Sequence, residues 1–174
     1  MNPDRSASPD PSAEQVSAYL DWYFDQHPVQ ADTLGAPGYA HRLGDFSAAA
    51  FEHRERDATG WLARFEDEPD GIDRDLVVSA LRGDLLMAGW PAWRRDPSVY
   101  LFPVFTGLLL PFLHRLRPEP ELVDGVVARL AEVPEVLASC RDNLDPELSA
   151  PRLVRRALRQ ATAGPAFLRD SLSA

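Results

Sequence analysis

Apolar residues recur along this chain at helical spacing, and the breaks between the recurrences fall at proline and glycine. Val16, Tyr19, Leu20 and Tyr23 stand at i, i+3, i+4 and i+7, and Trp22 and Phe24 widen that face. This spacing predicts an amphipathic helix that opens on the capping box Ser12-Ala-Glu-Gln15 and closes before Pro28. From Val29 to Asp45 the glycines at 35, 38 and 44 and Pro37 predict an irregular connection, with one helical turn near Gln30 to Leu34. Ser47 then offers an N-cap for a second helix carrying Phe51, Ala58, Trp61, Leu62 and Phe65. A third runs from about Ile72 to Trp90, with Leu76, Ala80, Leu85 or their neighbours inward, and Pro91 stops it.

Tyr100 to Leu113 is almost wholly apolar, and Pro103 and Pro111 predict its division into short helical pieces. From Glu119, a spacing of three or four links Leu122, Val126, Leu130, Val133, Leu137 and Cys140, with a kink expected at Pro134. A last helix starts near Pro146 and carries Leu153, Ala157, Ala161, Leu168 and Leu172. Alternating β-branched runs and Asn-Gly or Asp-Gly hairpin signals between them are missing. The expected fold is all-α, an irregular bundle of five to seven mostly antiparallel helices. Residues 1–11 read as a disordered N-terminal tail and residues 12–174 as a single helical domain.

Composition changes this picture little, because 45% hydrophobic and 26% charged residues are ordinary for a globular chain. Charge changes it more. The formal net charge is −9, with 17 acidic and 7 basic side chains in residues 1–87 against 10 and 11 in residues 88–174. An acidic first half, with no basic patch interleaved by aromatics, argues against nucleic acid as a partner. All 18 basic residues are Arg, which reflects coding bias. No apolar run reaches the ~18 to 20 residues of a membrane helix, and the N-terminus lacks the pattern of a secretory signal. Together with a single cysteine, Cys140, this leads us to expect a cytoplasmic protein without a membrane partner. Cys140 itself reads as a small buried hydrophobe rather than a nucleophile.

The search for chemistry yields no sufficient residue set, and no catalytic residue, metal or cofactor is expected. A zinc peptidase needs His-Glu-x-x-His, so that two imidazoles one turn apart hold the metal and a Glu polarises its water. His27, His41, His53 and His114 are scattered, and only a chance meeting of His27, His41 and a carboxylate would make a metal site. No nucleophile elbow is present, and Gly35-Ala-Pro-Gly38 lacks the Lys and the helix of a phosphate loop. The carboxylate pairs Asp73 with Asp75 and Asp21 with Asp25 read as solvated helix faces. Arg152, Arg155, Arg156 and Arg159 share one face of the last helix and are the best local candidate for an anion-binding site. Salt bridges to the acidic first half are the competing explanation.

Tyr19-Leu-Asp-Trp-Tyr-Phe24, His27-Pro-Val-Gln-Ala31, Leu34-Gly35 and His41-Arg-Leu43 together resemble the N-terminal region of the bacterial family called domain of unknown function 885. Ile72-Asp-Arg-Asp-Leu76, Arg95-Asp-Pro-Ser-Val-Tyr-Leu101 and Ala157-Leu-Arg-Gln160 follow in the same order, so the resemblance covers nearly all of residues 16 to 172. Full-length members resemble helical zinc oligopeptidases, whose His-Glu pair and later Pro-Gly-His element do not occur here. The resemblance therefore implies a helical module that corresponds to the part without zinc ligands, is non-catalytic alone, and acts by binding a partner or ligand. It also implies an alternative, half of a split zinc-peptidase-like hydrolase or a diverged small enzyme using its own carboxylates and His. A homo-oligomer or a separately encoded protein is the expected partner, since helix faces that would meet the rest of such an enzyme should be apolar.

Overall fold

The computed structural model describes residues 11–69 and 71–172. They form seven α-helices: α1 (Pro11–Gln26), α2 (Pro28–Thr33), α3 (Ala48–Glu66), α4 (Ile72–Ala88), α5 (Ser98–His114), α6 (Glu119–Asn143) and α7 (Pro151–Leu172). A 3-10 turn, Ala92–Arg94, joins α4 to α5, and no strand occurs among the described residues. The all-α expectation holds. The expected tail at residues 1–11 lies outside the described residues except for Pro11, which already belongs to α1, so the helix begins before the capping box.

Local chemistry accounts for several boundaries. Ser47 caps α3 as expected, its hydroxyl accepting the Ala50 N–H at 3.2 Å. The turn expected near Gln30 is α2, with Pro28 at its first position, where a missing N–H is harmless. The last helix starts at Pro151 rather than near Pro146. Asp145 holds the preceding turn, its carboxylate accepting Glu147 N–H at 3.0 Å and a bond from Arg94 at 3.0 Å.

Three expectations are corrected. The stretch containing Pro103 and Pro111 is one continuous helix, α5, rather than separate pieces. A proline withholds a donor from the carbonyl four residues back, and for Pro111 that carbonyl is Gly107. The Gly107 oxygen instead accepts Nη1–H of Arg129 on α6 at 2.7 Å, so the helix continues without a buried orphan. In α6 the inward face is Leu122, Val126, Arg129 and Val136, whereas Leu130 and Leu137 are exposed. In α4 it is Val77, Val78 and Leu81 that are buried against α3, while Leu76 is 64% exposed.

Two cores result. Tyr19, Ala58, Phe65, Val77, Val78 and Leu81 join α1, α3 and α4, with Tyr19 meeting Trp61 and Phe65 edge-on at 5.8 and 5.7 Å. Val29, Leu43, Phe46, Tyr100, Val104 and Val126 join α2, the Gly-containing connection, α5 and α6. Gly44 in that connection has φ +106 and lies where a Cβ would come 3.2 Å from Pro28, so only glycine fits. The second core is keyed by a buried polar junction. Arg129 is 1% exposed and donates to Asp32 Oδ2 at 2.8 Å, to Gly107 O, and to the carbonyls of Arg42 and Tyr39 at 3.1 and 3.2 Å. Arg117 pairs with the other Asp32 oxygen.

Candidate functional site

Where the two cores part, three polar side chains line a cleft. His27 is the one residue between α1 and α2, and its backbone N–H bonds back to Tyr23 O at 3.0 Å. Its ring does not cap α2 and lies 4.6 Å from the Tyr23 ring. Gln30, one turn along α2, accepts the Tyr23 hydroxyl on Oε1 at 2.9 Å, which orients the amide and leaves Nε2 as a donor. Arg54 crosses from α3. Its Nε donates to Ala50 O at 3.2 Å, its Nη2 to Asp45 O at 2.8 Å, and its guanidinium lies 4.3 Å over the Phe51 ring.

These three side chains line two cavities. The larger, about 460 Å³, continues between Val29, Phe46, Phe102, Pro103 and Leu110 and is mainly apolar. The smaller, about 320 Å³, lies on the other side and reaches Asp84 and Trp93. Volumes of this size are those of small-molecule sites, which pair apolar walls with a few placed polar groups.

The electrostatics of the trio are lopsided. Burial, and then the neighbouring Arg54, lower the His27 pKa from 6.5 to about 4, so the imidazole is neutral at pH 7. Burial also holds the Arg54 guanidinium below its ordinary value, against the pull of Asp45, without making it neutral. Among the described residues no carboxylate comes within ion-pair distance of Arg54. The Asp45 carboxylate instead accepts the Ser47 N–H at 2.8 Å. Arg54 Nη1 makes no hydrogen bond to the described residues, so the guanidinium keeps a donor and a charge able to receive an anion.

The sequence singled out neither Gln30 nor Arg54, and took His27 only as a metal candidate. Among the described residues no group of three His, Cys, Asp or Glu is placed to hold a metal ion. His53 instead pairs with Asp57 at 3.0 Å, and His41 and His114 are exposed. Cys140 packs beside the second core, where burial raises its thiol pKa. Of the Arg group on α7, Arg156 meets Asp96 at 2.5 Å and the Ser98 hydroxyl at 3.2 Å. Arg152, Arg155 and Arg159 are exposed and form no ion pair among the described residues. In the carboxylate pairs, Asp25 binds Arg42 at 3.1 Å and Asp75 binds Arg74 at 2.7 Å, both at the surface.

Two helices keep apolar surface uncovered. Ile72, Leu76 and Leu86 are exposed on α4, and Val123, Val127 and Leu130 are exposed on α6. No single helix among the described residues is long and apolar enough to cross a membrane.

A family model described as a bacterial protein of unknown function, DUF885, matches residues 28–174. No curated protein and no solved structure matches the chain. The aromatic segment Tyr19 to Phe24 precedes the matched range, which begins at Pro28, the first residue of α2.

Proposed function

The chain belongs to the DUF885 family, and from that premise we propose that it is a helical binding module, non-catalytic on its own, that takes a ligand in the cleft between its two cores. The observation that carries this reading is the placement of Arg54, which has no ion-pair partner among the described residues, beside a neutral His27 at the mouth of an apolar cavity. That set supplies a cationic anchor and a donor, but no activated nucleophile. The peptidase character implied by the resemblance has no residue here to carry it, because the four histidines are followed by Pro28, Arg42, Arg54 and Arg115 rather than by Glu. We place the module in the cytoplasm, where its lone Cys140 stays reduced. The test incubates the purified protein with a mixed peptide library and zinc, with and without chelator. No cleavage is the expected result, and chelator-sensitive cleavage would refute the reading.

A second reading is favoured by the uncovered apolar faces of α4 and α6. In it the chain is one half of a split zinc-peptidase-like hydrolase, and those faces meet a separately encoded chain that holds the metal, or a second copy of this one. Co-purification from the native host decides it. A stoichiometric partner carrying a His-Glu pair supports the split enzyme, and recovery of the chain alone as a monomer removes it.

A further inference from the structure

The polar wall of the cleft is built to receive one kind of group. Arg54 has committed Nε and Nη2 to the carbonyls of Ala50 and Asp45, which fix the plane of the guanidinium while leaving its charge unneutralised. Gln30 has committed its oxygen to Tyr23. What remains are N–H donors that form no hydrogen bond to the described residues, Nη1 of Arg54 and Nε2 of Gln30, while the carboxylates of this wall, Glu55 and Asp84, line the smaller cavity and not the larger. Carboxylates accept from such donors with charge-assisted geometry. The cavity behind this wall is apolar, lined by Val29, Phe102, Pro103 and Leu110.

Resting on the ligand-binding reading above, we propose that the cleft binds an amphipathic organic carboxylate, with its acid group on Arg54 and Gln30 and its apolar body in the cavity of about 460 Å³. The overall charge of −9 does not prevent this, because exposed charges beyond a Debye length of about 8 Å are screened at physiological salt whereas Arg54 would touch the ligand. Two sources present this chemistry, a medium-chain fatty acid and the C-terminus of an apolar peptide.

The experiment titrates the whole chain, by calorimetry, with decanoate and with N-acetyl-Phe-Leu, each beside its uncharged counterpart, decanol and N-acetyl-Phe-Leu-amide. Saturable binding of at least one acid is expected, at least tenfold tighter than its counterpart. Which acid binds identifies the source. Arg54→Gln, and independently the exposed Gln30→Leu, are expected to weaken that acid tenfold and severalfold, with thermal unfolding recorded to show that each variant folds. Equal binding of acid and neutral counterpart overturns the carboxylate assignment and leaves the cleft as a ligand site. Absence of binding by all four compounds, or unchanged affinity in both folded variants, overturns the carboxylate assignment and, for the former, the ligand-binding reading with it.

Discussion

Arg129 Nη1 lies 2.7 Å from the Gly107 carbonyl oxygen, the acceptor that Pro111 leaves without its helical donor. The same guanidinium holds Asp32 of α2 and the carbonyls of Tyr39 and Arg42, so one side chain ties α6 to α5, α2 and the connection after α2. Its full burial is tolerable because nearly every donor has a partner. Arg129→Met removes that set and leaves Asp32 buried with Arg117 as its remaining ion-pair partner. A loss of about 3–5 kcal/mol in urea denaturation is expected. Asp32→Asn in the same background should restore part of it, so the double variant is more stable than the sum of single losses implies. Strict additivity would show that the pair is not coupled.

Helical glycines give an opposed pair of predictions. At Gly125 on α6 a Cβ would fall 2.8 Å from the Ala40 carbonyl oxygen, and backbone cannot turn aside as a side chain can. At Gly60 on α3 nothing lies within 4 Å. Gly60→Ala is expected to stabilise by roughly 1 kcal/mol through helix propensity. Gly125→Ala is expected to destabilise by about 1–3 kcal/mol as α6 is pushed off the connection. Thermal unfolding of both variants measures the contrast, and a stabilised Gly125→Ala would mean that α6 is not held that close.

The uncovered faces of α4 and α6 predict concentration-dependent self-association in the absence of another partner. Ile72 is 81% exposed and Val127 59% exposed. Ile72→Glu with Val127→Glu should sediment as a monomer at concentrations where the parent chain associates. Its unfolding midpoint should shift little, since these side chains contribute little to either core. A parent chain that stays monomeric at high concentration removes the prediction.

Helix identity and class were legible because proline, glycine and the apolar period agree over most of the chain, as at Ser47 before α3. The faces were less legible. In α6 the most regular inward spacing, Leu122, Val126, Arg129, Val133 and Val136, passes through a charged residue, and a hydrophobic reading steps aside to Leu130 and Leu137, which face outward. What makes Arg129 an interior residue is the proline on another helix and the acid on a third, and neither is local. The cleft was hidden for the same reason. Arg54 looks like any surface Arg of an amphipathic helix until the Asp45 and Ala50 carbonyls fix it beside His27, which is 27 residues away. Pro111 does not break α5 because propensity speaks for an isolated helix, whereas α5 packs against α2, α6 and α7.

His27 predicts a pH dependence of stability with a definite sign. Its pKa falls from 6.5 to about 4 on folding, so between these values the unfolded chain binds a proton that the folded chain refuses. Stability therefore rises with pH across that interval: the contribution is complete above pH 6.5 and is lost as pH falls toward 4. Its upper limit is about 3 kcal/mol, from the energy equivalent of a pKa difference of this size. Urea midpoints at pH 7.5, 6 and 5 should decline in the parent chain and decline less in His27→Gln, since the two chains share every other titrating group. Arg54→Gln should also flatten the decline, to a smaller degree, because burial rather than Arg54 is the larger cause of the depressed value. Equal slopes for the parent and His27→Gln would show that the imidazole is solvated, and the cleft would then lack the dry wall on which ligand binding depends.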